Sequence, residues 1–195
     1  MAKCLFIAAL LALTAAPALA QRPTPPSPYA PLQDKPTCTR AELKTLTDAY
    51  VAAQRTGSLA GLPLDEKAHF LENMKDVEKS AGLWNRKLTI DNAMSFHDEL
   101  RCKSFTEIIV TGPVAYVIGT RLYVHAGKII RVDSLVTKKG DWLFSANAYL
   151  KYTKAEDWGD LFKYQKTAPA EMIRGANAYL DAFSDKFTDV PWGTP

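Results

Sequence analysis

The sequence predicts an α+β protein in which helices come first and a curved antiparallel sheet follows. Two observations carry this. Leu43, Leu46, Tyr50 and Ala53 repeat at helical spacing, whereas from Ser104 onward the apolar period changes to two. A third observation bounds the problem. In 195 residues, 47% are apolar and 23% charged, enough to bury a core in about one domain. Lys and Arg (24) against Asp and Glu (21) leave a net charge of +3, too small and too dispersed to point to nucleic acid.

The chain opens with a short basic start at Lys3, an apolar run from Cys4 to Ala16 and the small-residue pattern Ala18-Leu19-Ala20. This reads as a cleaved signal peptide over residues 1–20. The run is about 13 residues, short of the ~20 a spanning helix needs, so a soluble mature protein without a membrane anchor is expected, secreted or periplasmic. Residues 21–37 hold six prolines, which favours an extended leader. A single α+β domain is then expected over 38–195. Cleavage leaves Cys38 and Cys102, which an oxidising compartment can join as a disulfide or leave as two buried thiols. Two cysteines without clustered histidines argue against a metal site, and no cofactor motif is present.

The elements follow in order. Thr39-Arg40-Ala41-Glu42 has the form of a capping box, opening a helix that runs to Gly57. Leu59 to Leu64 reads as a turn, His69 to Asn73 as a short strand, and Ile90 to Leu100 as a second short helix. Four strands then follow over Phe105–Val110, Val114–Val124, Lys128–Val136 and Trp142–Lys151, separated by Gly112-Pro113, His125-Ala126-Gly127 and a Lys-Lys-Gly-Asp turn. Ala168 to Phe183, entered through Pro169, reads as a C-terminal helix.

Pairing Val124 with Lys128 and Val136 with Trp142 sorts the side chains onto two faces. One is apolar, with Ile118, Leu122, Ile130, Val132, Val136, Trp142, Phe144, Ala146 and Ala148. The other carries Arg121, Tyr123, Ile129, Arg131, Asp133, Ser145, Asn147 and Tyr149, with Arg121 diagonal to Asp133 and Asp133 opposite Ser145. A slip of one residue at either turn would change these partners. The polar side is either an ordinary solvated face or the lining of a cavity for a mostly apolar guest. In the second reading Arg121 fixes an oxygen of the guest, Tyr149, Ser145, Asn147 and Trp142 contact it, and Asp133 orients Arg121 or accepts a proton. His97 and Glu72 are the auxiliary acid–base candidates, His97 being equally a surface residue and Glu72, like Glu107, equally a capping or sheet-edge residue.

The run Val117-Ile118-Gly119-Thr120-Arg121, with Gly140-Asp141-Trp142-Leu143-Phe144, Tyr149-Leu150-Lys151-Tyr152 and Val190-Pro191-Trp192-Gly193-Thr194-Pro195, resembles a secreted domain family common in fungi. Cys38-Thr39-Arg40, Glu72-Asn73, Asp98, Cys102 and Glu107 fit its upstream half. The likeness spans Cys38 to Pro195. Asp133 and Ser145 depart from it, since Glu and Asn are common at those positions. The element order also resembles the cone-shaped nuclear transport factor 2-like (SnoaL-like) superfamily, which implies a sheet wrapped around N-terminal helices. The resemblance implies an isomerase, lyase or cyclase type of activity, or binding alone, toward a small apolar or aromatic molecule, in a monomer or a homodimer. The alternative is a non-catalytic exported interaction module using Trp142, Trp158 and Trp192 as contacts.

Overall fold

The computed structural model describes residues 37–184 and 190–192, so the expected signal peptide and nearly all of the Pro-rich leader lie outside the described residues. Helix α1 covers Arg40–Thr56. Its capping box forms as the sequence implies. Thr39 Oγ1 accepts from the Glu42 amide at 3.2 Å, and Glu42 Oε2 accepts from the Thr39 amide at 2.8 Å. The helix stops at Gly57, whose φ of 71° lies in the left-handed region and whose amide donates to the Ala53 carbonyl. A Cβ there would stand 2.5 Å from the backbone nitrogen of Lys87, so glycine is required twice over.

Six strands form one curved sheet in the order β2-β1-β6-β5-β4-β3. They are β1 (Leu64–Glu72), β2 (Lys75–Asp76), β3 (Asn92–Asp98), β4 (Lys103–Val110), β5 (Tyr116–His125) and β6 (Lys128–Lys138). From β3 to β6 the sheet is an antiparallel meander, while β1 joins β6 in parallel. Two helices follow, α2 (Ala146–Ala155) and α3 (Pro169–Ala182). The class is α+β, with the expected C-terminal helix in place.

Two elements correct the sequence reading. Residues 92–98 are the edge strand β3 and not a helix. Every residue from Asn92 to Asp98 pairs with one of β4, and Ser95 Oγ lies 2.9 Å from Thr106 Oγ1, so cross-strand pairing overrides a locally helix-like spacing. Residues 142–151 are not the last strand. Leu143 has a φ of 49°, Gly140 one of 104°, and Ser145 then caps α2 by accepting from the Ala148 amide at 3.4 Å. β6 instead takes β1 as its second neighbour, which leaves no edge for a Val136–Trp142 ladder.

The β5–β6 register also departs from expectation. Val124 pairs with Ile129 and Tyr123 with Arg131, so Ile130 is an extra residue on β6. The bulge exchanges the faces of its two isoleucines. Ile129 is fully buried and Ile130 is 40% exposed, the reverse of strict alternation.

The core lies between α1 and one face of the sheet. Leu43, Leu46, Tyr50 and Ala53, the four residues of the helical repeat, are all buried there with Ile108, Ile118 and Leu122. Trp84 closes the core beside Phe70, their ring centroids 5.0 Å apart. A chain of hydroxyls crosses this core. Gln54 Nε2 donates to Tyr50 Oη at 3.2 Å, Tyr50 Oη lies 2.7 Å from Thr120 Oγ1, and Thr120 Oγ1 lies 2.8 Å from Ser134 Oγ. Burial pushes the Tyr50 phenol above its usual pKa, which keeps it neutral. Cys38 and Cys102 form a disulfide with a Cα separation of 5.3 Å, fastening the start of α1 to the β3–β4 turn.

Candidate binding site on the outer face of the sheet

Strand alternation decides which side chains leave the core. With Thr106, Ile118, Thr120 and Leu122 directed at α1, the intervening Phe105, Glu107, Gly119, Arg121 and Tyr123 stand on the opposite face. Buried side chains fill the interface between α1 and the body of the sheet, and the concavity of about 410 Å³ beside α1 opens over β3 with neither Arg121 nor Asp133 in its lining. Arg121 and Asp133 therefore belong to the outer face, and the expected interior cup lined by them is replaced by a trough that α3 helps to wall.

Two adjoining concavities make the trough. One, about 450 Å³, lies over β3, β4 and β5 and is walled by Ile173, Ala176 and Asn177 of α3. The second, about 350 Å³, continues over β5, β6 and the end of β1, past Gly119, Arg131, Asp133 and Leu135. Phe105 and Arg121 line both. Phe105 is 41% exposed and lies against Gly119, where a Cβ would come within 3.0 Å of its ring. Phe96 borders the first concavity and meets Trp158 edge-on, with centroids 5.3 Å apart.

Charge in the trough is unevenly matched. Asp98 accepts from Arg101 at 3.0 Å, and Asp133 accepts from Arg131 at 2.8 Å. Among the described residues no carboxylate lies within ion-pair distance of Arg121 or Lys103. The Arg121 guanidinium instead donates to Tyr123 Oη at 3.2 Å. The Lys103 ammonium is held below its usual pKa, first by burial and then by Arg121 and Arg101.

The other residues singled out in the sequence are dispersed. Arg121 and Asp133 sit directly opposite each other on β5 and β6, not diagonally, and Asp133 faces Arg131 in place of Ser145. His97 points its Nε2 at Thr47 Oγ1 of α1, 3.1 Å away, and touches only the end of the trough. Burial, with the positive charges of Arg40 and Lys44, holds its imidazole below the usual pKa. Glu72 accepts from the Leu83 amide at 2.7 Å and so fastens a single helical turn, Leu83–Asn85, at the core. Neighbouring Asn73 ties the end of β1 to Val136 through both its amide atoms.

Trp142, Ser145 and Tyr149 come together elsewhere, in a pocket of about 350 Å³ with Tyr152 and Phe144. Asn147 is exposed on α2. Tyr149 reaches from α2 to the sheet, where its hydroxyl donates to Glu107 Oε2 at 2.8 Å, and Glu107 Oε1 is buried without a partner. Burial and this carboxylate push the Tyr149 phenol up from 10.0 to about 12. A raised pKa means stabilisation that is present below pH 10 and lost as the pH climbs toward 12. An alkaline titration followed by phenolate absorbance should therefore show a late phase, shared with buried Tyr50, from which Tyr149→Phe removes one tyrosine's amplitude and in which Glu107→Gln moves that amplitude to lower pH. An unchanged late phase in both variants would break this assignment.

Phe96, Arg101, Lys103 and Phe105 were not among the residues expected at a site. The signal for them was available, because drawing the β4–β5 register across Gly112-Pro113 puts Phe105 opposite Arg121 and Lys103 opposite Tyr123.

No family model matches the chain, and no curated protein matches it in sequence. Solved structures do resemble it. A structure from Pseudomonas putida KT2440, described as a candidate polyketide cyclase, is 19% identical, with a TM-score of 0.38 over 47% of this chain and 89% of that one. AclR from Streptomyces galilaeus, described as a candidate hydroxylase, is 16% identical, with a TM-score of 0.40 over 74% and 99% of the two chains. An NTF2-like protein of unknown function from Burkholderia xenovorans LB400 is 10% identical, with a TM-score of 0.39 over 63% and 96%. The likeness is partial in each case.

Proposed function

We propose that this is an exported small-molecule-binding protein of the nuclear transport factor 2-like type, and that its guest is a flat apolar or aromatic molecule lying in the outer-face trough. One observation carries the reading. Phe105 and Arg121 are common to two adjoining concavities of about 450 and 350 Å³, which gives a continuous, aromatic-floored space within the usual range for small-molecule sites. The disulfide fits an oxidising compartment, and no described helix is long and apolar enough to cross a membrane. Assistance to isomerisation, elimination or cyclisation is the enzymatic extension of this reading. Asp133 and His97, which border the trough, are then the acid–base candidates. Glu72, committed to the Leu83 amide, would act only by holding the core turn. A second reading, an interaction module, is favoured by the exposure of Trp142 (83%), Trp158 (54%) and Trp192 (65%).

Binding of the neutral fluorophore N-phenyl-1-naphthylamine tests the first reading. The wild-type chain should enhance its emission. Phe105→Ala, and Gly119→Ala through the displaced ring, should each weaken binding by about tenfold, close to 1.4 kcal/mol, with little change in melting temperature. Equal binding by both variants would move the guest away from the trough, and a response lost only on changing the three tryptophans would favour the second reading.

A further inference from the structure

We infer that the guest carries a carboxylate, seated between Arg121 and Lys103 beside the ring of Tyr123. This deepens the reading above and rests on the trough being the binding site.

The argument begins with register. Lys103, Tyr123 and Arg131 are direct neighbours across β4, β5 and β6, and Arg121 is two residues from Tyr123 on the same face. Three cations therefore crowd one phenol ring. The Lys103 ammonium stands 4.8 Å from its centroid, the Arg131 guanidinium carbon 5.1 Å and that of Arg121 6.0 Å. Like charges so close together cost free energy unless something negative joins them.

The chain supplies only part of that charge. Asp98 answers Arg101 and Asp133 answers Arg131, which leaves Arg121 and Lys103 with a surplus of two positive charges. A second observation is independent of net charge. Arg131 Nε is buried and has no acceptor, a desolvated donor of the kind folded proteins rarely leave unmet. An oxyanion entering the first concavity would meet Arg121 and Lys103, which line it, while Arg131 adds its positive charge from the adjoining concavity that Arg121 shares.

The surroundings select the rest of the molecule. Phe105, Phe96 and Ile173 adjoin the cationic cluster within the larger concavity, so an acid attached directly to a flat apolar body would place each part against its match. Arg121 offers a planar fork of donors, which suits the planar, singly charged carboxylate. A phosphate would bring a second negative charge and a tetrahedral shape to the same groups.

The test compares 2-naphthoate with 2-naphthamide, its neutral relative of nearly the same shape, by calorimetric titration of the full chain. Naphthoate should bind at least about tenfold more tightly, the scale of one charge-assisted contact. Its affinity should fall as salt is added. Arg121→Gln should abolish the preference for the acid and Lys103→Gln should reduce it, the loss falling more heavily on naphthoate than on naphthamide in both. Because Arg121 is exposed, melting temperatures near the wild-type value are expected and serve as the folding control. Equal, salt-independent binding of acid and amide would overturn the carboxylate seat while leaving the trough as the site. A stronger response to inorganic phosphate than to naphthoate would reassign the cluster to a phosphate-bearing guest. Failure to bind naphthoate, naphthamide and the neutral fluorophore alike would overturn the inference together with the reading beneath it.

Discussion

Replacing Cys38 and Cys102 together by serine is expected to lower the melting temperature by roughly 10 °C. The bond joins positions 64 apart. Closing a loop of that length restricts the unfolded chain by about 4 kcal/mol in the entropy model, and about 2 to 4 °C accompanies each kcal/mol at this chain size. Adding a reductant to the wild-type protein should reproduce the loss, since both treatments release the same constraint. The two cysteine positions are buried, so serine also places a hydroxyl where a sulfur was, and the reductant experiment separates that effect. A drop of less than about 2 °C under both conditions would mean the unfolded chain is already confined without the bond.

Trp84→Ala should be of similar size, destabilising by about 3 to 5 kcal/mol on the scale of large aromatic truncations in cores. Trp84 is 1% exposed and packs on Phe70. Its indole Nε1 also donates to the Lys79 carbonyl at 2.7 Å, a bond the alanine would lose while Asn85 Nδ2 still donates to the same oxygen. The turn that carries Trp84 is held from the other side by Glu72, so the variant loosens β1 as well. Denaturant unfolding should show a lower midpoint with an unchanged slope, partly recovered in Trp84→Phe. A loss under about 1 kcal/mol would show that the segment between β2 and β3 folds apart from the main core.

How far the sequence revealed these features follows the range of the interactions involved. α1 was legible because its signals are local: Thr39 and Glu42 three residues apart, an apolar face every three or four residues, and Gly57 at the end. β4, β5 and β6 were legible from alternation. β3 was not, because Met94, Phe96 and His97 owe their conformation to partners on β4 and not to their neighbours. Residues 145–149 alternate as a strand would, yet Ser145 as a cap and the run of good helix formers behind it win once β6 has paired with β1. That parallel pairing joins segments about sixty residues apart and leaves no mark on either. The site was legible in part. Arg121 and Asp133 were placed on one face, but which side of the sheet that face would occupy depended on where α1 packed. Tyr50 illustrates the same limit, since its spacing announces a core position while its hydroxyl partner Thr120, and Ser134 beyond it, come from strands far along the chain.

The irregularity in β6 has a consequence for how this chain can change in length. Ile129 and Val132 both point to the core with Ile130 and Arg131 between them, so shortening the strand by Ile130 alone would restore simple alternation and leave every remaining side chain on its present side. The hydrophobic interior is therefore indifferent to that one residue. What the extra length does is bend the backbone just before Arg131, so a one-codon deletion there would re-aim a guanidinium without disturbing the fold that presents it.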